Sequence, residues 1–346
     1  TEPLTIAENQ PIGTIVGEFN ATDPDVNATL TYSLVSGAGD GNNSLFTLET
    51  NGTLKTATIF DYESNASTYT IRVQAKDEFN ATVEGNFTVT LTGVYEPSQA
   101  NHTVDLNSTV NLEMIWVEPG TFTMGSPVGE TGRSTSETEH NVTLTKGFYL
   151  GKYEVTQAQY EAVMTGNGNG LSATPSNWPG NPNRPVEKVS WNNVQIFLTR
   201  LNSAEQTAGR LPAGWSYVLP TESQWEYACR AGTTTVYSWG NTITSANANY
   251  SSNIGQTADV GQYAANPWGF FDMHGNVREW CSDRFGTYPT GNPVIDPPGA
   301  ASGLARVKRG GSWSAAGSGL RSAMRNSNNP SNPYDSLGFR VGFQQI

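Results

Sequence analysis

The chain holds three histidines, His102, His140 and His274, and two cysteines, Cys229 and Cys281. They are its whole supply of imidazole bases and thiols. A Ser-His-Asp relay needs one of those imidazoles as its base. His102 stands in an aperiodic stretch, His140 ends the polar run Ser136-Glu137-Thr138-Glu139-His140, and His274 lies between Met273 and Gly275. Each reads as a surface or structural histidine rather than a general base. Two Cys with no flanking His cannot build a zinc site. Gly310-Gly311-Ser312 does not meet the Gly-x-Ser-x-Gly pattern of a nucleophile elbow. No Gly-rich loop has the spacing that cradles phosphate. Carboxylates are the remaining chemistry. Calcium needs several oxygens converging at one point, and Asp and Glu on loops at strand ends supply them.

The charge balance agrees with that emphasis. Charged residues make up 14% of the 346, and the net charge is −12. Such a chain has no electrostatic footprint for nucleic acid and is repelled by anionic membranes, but attracts divalent cations. No run of 18 apolar residues is present, so no membrane insertion is expected. Thr1 is not an initiator Met, which reads as a mature, trimmed or partial chain. Asn-x-Ser/Thr sequons stand at Asn20, Asn27, Asn42, Asn51, Asn65, Asn80, Asn86, Asn101, Asn107, Asn141 and Asn249. Two readings stay open for them: chance in an Asn/Thr-rich region, or glycosylation of an exported protein. Both agree with an extracellular or cell-surface location.

The elements that must position these groups come in two styles. Gly numbers 36, and Asn, Thr and Ser are conspicuous, which favours turn-rich β structure. Residues 1–95 alternate with period two in Thr31–Val35, Tyr69–Val73 and Phe87–Leu91. That spacing predicts an all-β, Ig-like sandwich of about seven strands. Residues 96–111 lack periodicity and read as a linker. Residues 112–346 form the larger domain. Thr156 is placed to cap a helix over Gln157–Met164, and Thr221 one that runs through Ala228. A third helix begins near Trp191, with Val194, Phe197, Leu198 and Leu201 on one face.

The ordered blocks of the first domain are Ala7-Glu8-Asn9, Ala21-Thr22-Asp23-Pro24-Asp25, Leu30-Thr31-Tyr32-Ser33, Asn51-Gly52-Thr53-Leu54, Asp61-Tyr62-Glu63 and Val73-Gln74-Ala75-Lys76-Asp77. Together they resemble one cadherin repeat. The resemblance implies calcium at the junctions between repeats. It places Glu8, Asp61 and Glu63 at the C-terminal end of the sandwich, with Glu96 joining them. The family's Asp-x-Asn-Asp-like linker run is replaced by Gly93-Val94-Tyr95-Glu96-Pro97, which leaves room for one ion rather than a full cluster. Asp23, Asp25 and Asp77 would lie at the opposite end. There they are either vestigial, or completed by a neighbouring molecule through self-association.

Blocks in the second domain run Met114-Ile115-Trp116-Val117, Gly120–Gly125, Tyr153-Glu154-Val155-Thr156, Pro185–Trp191, Leu219-Pro220-Thr221-Glu222, Trp225–Arg230, Gly275–Trp280, Arg309–Trp313 and Gly338-Phe339-Arg340. In this order they resemble the formylglycine-generating enzymes, or sulfatase-modifying factors. The resemblance implies an α+β, C-type-lectin-like fold, and hence a multidomain chain. Catalytic members hold copper with two thiolates shortly after the Gly-Gly-Ser block. Here that stretch, Trp313–Leu320, has no Cys. The related nonheme-iron sulfoxide synthases need a His-rich site, which is also missing. A residual oxidoreductase would therefore need a metal site without thiolates.

The same resemblance makes Asp272–Glu279 a structural calcium loop. Asp272 and Glu279 would give side-chain oxygens, and Gly275 and Val277 carbonyls. Asn249 is the one remnant of a second calcium site. The blocks holding Cys229 and Cys281 are brought near one another, which leaves open a disulfide or two buried thiols. Trp116, Trp191, Trp225 and Trp280 read as core anchors. Trp313 and Tyr334 flank the altered segment. That segment, Ser314–Leu337, also resembles the variable proteins of diversity-generating retroelements, with Trp313, Ser314, Ser318, Asn326, Asn328 and Tyr334 as candidate ligand contacts. The alternative for it is an ordinary loop.

These features together predict a noncatalytic extracellular binding or adhesion protein that takes another surface protein or a glycan as partner. A structural subunit of an extracellular filament is the alternative.

Overall fold

The computed structural model describes residues 3–8, 10–25, 28–60, 65–92 and 101–346. The chain divides into two compact units, Thr1–Glu96 and Pro97–Ile346.

The first unit carries β1 (Leu4–Ala7), β2 (Ile15–Glu18), β3 (Thr31–Leu34), β4 (Phe46–Leu48), β5 (Thr53–Thr56), β6 (Thr68–Lys76) and β7 (Thr82–Thr92). They form two sheets, ordered β1-β7-β6-β3 and β2-β5-β4. β1 joins β7 in parallel, and the other pairs are antiparallel. Alternation sets the core. Tyr69, Ile71, Val73 and Ala75 of β6 are buried, and their intervening residues are not. They pack with Leu54, Phe46, Phe60, Val89 and Leu91. Each such side chain contributes about 1.5–3 kcal/mol of transfer free energy on burial. Asn27, Asp61, Glu63 and Glu96 lie outside the described residues.

The second unit carries β8 (His102–Asp105), β9 (Asn111–Val117), β10 (Gly120–Met124), β11 (His140–Leu144), β12 (Phe148–Gly151), α1 (Gln157–Met164), α2 (Trp191–Thr207), β13 (Trp215–Val218), α3 (Glu222–Arg230), β14 (Arg278–Arg284), β15 (Val294–Ile295), β16 (Arg306–Arg309), β17 (Asn326–Asn328), β18 (Leu337–Phe339) and β19 (Gly342–Gln345). Its sheets are ordered β13-β19-β12-β9-β8, β17-β16-β14-β18 and β10-β11-β15.

The expected linker is corrected by β8. It pairs with β9 from His102↔Met114 to Asp105↔Asn111. His102 also stacks on Phe343 at 5.2 Å. Residues 102–105 are therefore sheet. A four-residue strand with one buried residue, Val104, leaves no legible period.

Local chemistry fixes the helices. Thr156, Ser190 and Thr221 each cap a helix, and Gln159, Asn193 and Gln224 close a reciprocal capping box. A cap of this kind is worth about 1 kcal/mol. α2 buries Val194, Phe197, Leu198 and Leu201, a stripe at helical spacing that meets Tyr160, Phe339 and Trp280. Most of residues 231–277 is irregular, yet it buries Ala248, Ala258, Phe270 and Met273. This stretch delivers residues 272–277 to the start of β14.

Candidate functional site

Residues 272–279 lead into β14. Asp272 and Asn276 take left-handed φ of 57° and 55°. Gly275 has φ 104°, and a Cβ there would stand 2.5 Å from the Asn249 carbonyl oxygen, so only Gly fits. Glu279 is fully buried. Its Oε1 accepts from Arg340 Nη2 at 2.7 Å and its Oε2 from Arg340 Nε at 3.0 Å. Trp225 Nε1 also donates to Oε2, at 2.7 Å. Asp272 Oδ2 accepts from the Gly261 N–H at 2.7 Å. Burial is the main cause that pushes the Asp272 carboxyl up to about 6.

Glu154, which the sequence reading gave no role, completes the cluster. It accepts from the Val277 N–H at 2.9 Å and from Asn276 Nδ2 at 2.6 Å. Burial first, then the Asp272 and Glu279 charges, drive its carboxyl well above the ordinary value.

The carboxylates of this loop are held by protein donors. Both Glu279 oxygens serve the Arg340 guanidinium. Asp272 and Glu279, the two carboxylates of the expected calcium loop, thus stand together at the start of β14 with their oxygens hydrogen-bonded within the protein. Arg340 supplies positive charge to this cluster, and burial raises the Glu154 and Asp272 carboxyl groups.

Cys229 and Cys281 are free thiols, both fully buried, which corrects the disulfide reading. Burial pushes Cys229 up to about 12 and Cys281 well above its usual value. A thiol held protonated is neither a good nucleophile nor a ready metal ligand. His274 lies beside Cys229, with Nε2 3.5 Å from Sγ. Its Nδ1 is 2.7 Å from the Leu320 carbonyl, so that nitrogen carries the proton. Nε2 accepts from the Ser238 N–H at 3.2 Å. Burial depresses the imidazole to about 4. It is a neutral structural ring, packed edge-on to Trp239 at 4.7 Å.

The stretch after Gly310-Gly311-Ser312 holds structural groups. Leu320 is fully buried. Arg321 donates to Glu137 through Nη1 at 2.8 Å and Nη2 at 2.9 Å. Arg325 grips Glu222 at 2.8 and 2.6 Å, and Arg309, just ahead of Gly310, pairs with Glu226. These buried pairs join the segment to α3 and to the 126–137 loop.

The candidate ligand contacts divide into two groups. Ser314 and Ser318 are exposed. Their neighbours face residues 236–251, with Tyr237 OH donating to the Gly317 carbonyl at 2.9 Å. Asn326 and Asn328 lie on the edge strand β17, opposite Lys308 and Arg306. Trp313 is half-buried, edge-on to Trp178 at 5.1 Å. Its Nε1 donates to the Asp335 carbonyl at 3.2 Å, which ties it to exposed Tyr334.

In the first unit, Glu8 is buried at the end of β1. Asp25 is exposed and its N–H donates to Asp23 Oδ1 at 2.8 Å. Asp77 Oδ1 accepts from Phe79 and Ala81 N–H groups at 3.0 and 2.7 Å. These carboxylates thus organise their own turns. Asn20, Asn51, Asn65, Asn80, Asn86, Asn101, Asn107 and Asn141 are exposed, and Asn42 is half-buried. Asn249 is 1% exposed, and its Nδ2 donates to Gln256 and Asn276. Its place among glycosylation candidates is corrected, since a buried amide offers no nitrogen to a sugar donor.

Fold and site define a two-unit, strand-rich protein whose second unit is pinned by buried Arg–carboxylate pairs. Residues 100–344 match the sulfatase-modifying factor enzyme 1-like domain, and residues 2–92 match the cadherin domain. The chain belongs to the sulfatase-modifying factor enzyme family, with a cadherin domain ahead of that module. It is 30% identical over 284 residues to the formylglycine-generating enzyme of Streptomyces coelicolor, covering 64% of this chain and 86% of that one. Among solved structures it is similar to Treponema denticola variable protein 1, with TM-score 0.59, 26% identity and coverage of 71% and 99%. It is also similar to PvdO from Pseudomonas aeruginosa, with TM-score 0.62, 25% identity and coverage of 73% and 100%.

Proposed function

We propose that this chain is a noncatalytic extracellular binding or adhesion protein built on the sulfatase-modifying factor scaffold. The state of the thiols carries the reading. The segment after Gly310-Gly311-Ser312 has no Cys, and both Cys of the chain are buried and held protonated. In this reading that segment offers no thiolate to a copper centre. The cadherin domain supports an extracellular setting. Calcium belongs to this reading at the sandwich ends, where Asp23, Asp25 and Asp77 offer carboxylates to a second molecule. Among the described residues no helix is long and apolar enough to cross a membrane.

Oxygen uptake with copper and a Cys-containing peptide tests the reading. Absence of turnover is expected, and sustained uptake with tightly bound copper overturns it. Light scattering in calcium and then in chelator tests self-association. A mass that falls on chelation supports the sandwich-end site, and an unchanged monomer refutes it.

Likeness to a variable protein of Treponema denticola favours a second reading. In it, Ser314–Leu337 is a variable ligand-binding surface on a fixed scaffold. Sequencing this segment across isolates of the source would test it. Substitutions concentrated at exposed positions support it, and a segment no more variable than Arg306–Trp313 overturns it.

A further inference from the structure

Two cations of this acidic chain lie side by side without an acidic partner among the described residues. Lys308 stands directly opposite Trp280 in the β16–β14 pair. Arg278 is two residues before Trp280, so strand alternation puts it on the same sheet face. Asn326 of β17 lies opposite Lys308 on the other side. Both cations are half-buried. Among the described residues neither side chain makes a hydrogen bond or ion pair, whereas each of Arg309, Arg321, Arg325 and Arg340 grips a carboxylate. The one contact of this kind is Lys308 Nζ, 5.8 Å from the centre of the Tyr334 ring.

The surroundings do not offset this charge. The start of α2 packs on the same face. Trp280 Nε1 donates to the Val189 carbonyl at 3.1 Å, and the Arg306 guanidinium lies 4.0 Å over the Trp191 ring. A helix N-terminus carries partial positive charge. Burial, then the Arg278 charge, hold Lys308 down to about 8, and burial holds Arg278 below its usual value. Half-buried cations left without a counter-charge are costly, and a bound anion would offset that cost. Lys serves as a point charge and Arg as a planar fork, which together suit an oxyanion.

The geometry points to an oxyanion-binding site at Arg278 and Lys308, roofed by Tyr334 and edged by Asn326, that takes a carboxylate- or sulfate-bearing ligand. It deepens the binding reading above by giving the ligand's charge, and it rests on that reading. A positive oxygen-uptake result would sink the noncatalytic reading alone, whereas the titrations below address the anion site alone.

The test is calorimetric titration of the full chain at constant ionic strength with sodium sulfate, glucuronate and glucose. Sulfate or glucuronate should bind saturably, with Kd on the order of millimolar, and glucose should not. Lys308→Gln should weaken binding about tenfold, as should Arg278→Gln. Equal affinity for sulfate and glucuronate identifies a bare oxyanion as sufficient. Glucuronate tighter by about tenfold identifies a sugar acid. To guard against a misfolded variant, the ε-methylene NMR signal of Lys308 is followed in the unmodified protein as sulfate is added. A saturable shift supports the site. An unmoved signal, or Lys308→Gln binding as well as the parent chain, overturns it.

Discussion

Arg340 and Glu279 meet in a two-pronged ion pair, 2.7 Å from Nη2 to Oε1 and 3.0 Å from Nε to Oε2, with both residues fully buried. Arg340 Nη1 and Nη2 also donate to the Gly151 and Phe271 carbonyls. One guanidinium therefore joins the link between β18 and β19 to β14, β12 and the loop before Asp272. Removing it leaves Glu279 buried with Glu154 and Asp272 nearby. Arg340→Met should cost about 3–5 kcal/mol, because an unpaired buried charge is worse than a missing pair. Urea unfolding of the two proteins checks this, and a loss below about 1 kcal/mol would contradict it.

The two thiols give a second expectation. With Cys229 and Cys281 buried and pushed up in pKa, iodoacetamide at pH 8 should leave the native protein unmodified. Both should alkylate once guanidinium unfolds it. Intact mass reads the outcome, and a mass two hydrogens short before treatment would instead indicate a disulfide.

His274 predicts an acid-side loss of stability. Its pKa falls from 6.5 to about 4 on folding. Between those values the unfolded chain binds more protons, so stability falls as pH falls through that window, by up to roughly 3 kcal/mol. The His274 ring signal in NMR should still be that of a neutral imidazole at pH 5.

Asp283 acts with the opposite sign. Burial, then Glu222, raise it from 3.8 to about 7. Its favourable contribution is present below 3.8 and is lost as pH rises through 7. Its Oδ2 accepts from the Glu222 N–H at 2.8 Å, which an Asn oxygen can also do. Asp283→Asn should therefore stabilise the protein at pH 8 by about 1–3 kcal/mol and by much less at pH 4. Urea midpoints at the two pH values decide it. Equal effects at both would remove the charge argument.

Gly275 gives a steric test. Its φ of 104° and the 2.5 Å approach to the Asn249 carbonyl leave no room for a methyl group. Gly275→Ala should cost more than about 2 kcal/mol. A thermal midpoint unchanged from the parent would show that the loop can shift.

Much of the scaffold is local and was therefore legible. Thr156 with Gln159 and Thr221 with Gln224 announce helix starts because a cap is satisfied within three residues. β6 shows its period because nine residues alternate against one core. β8 does not, since its place is decided by β9 and Phe343 far along the chain.

Residue types and order alone determined the two-module organisation, the α2 core stripe and the lack of a thiolate pair after Gly311. Charge partners were decided by the tertiary structure. A carboxylate at 279 is the same in sequence whether it faces a cation in solution or Arg340. Only the fold brings positions 279 and 340 within hydrogen-bond distance. It also leaves Arg278 and Lys308 on one face with no ion-pair partner among the described residues, because pairing depends on which strands adjoin rather than on what each strand contains.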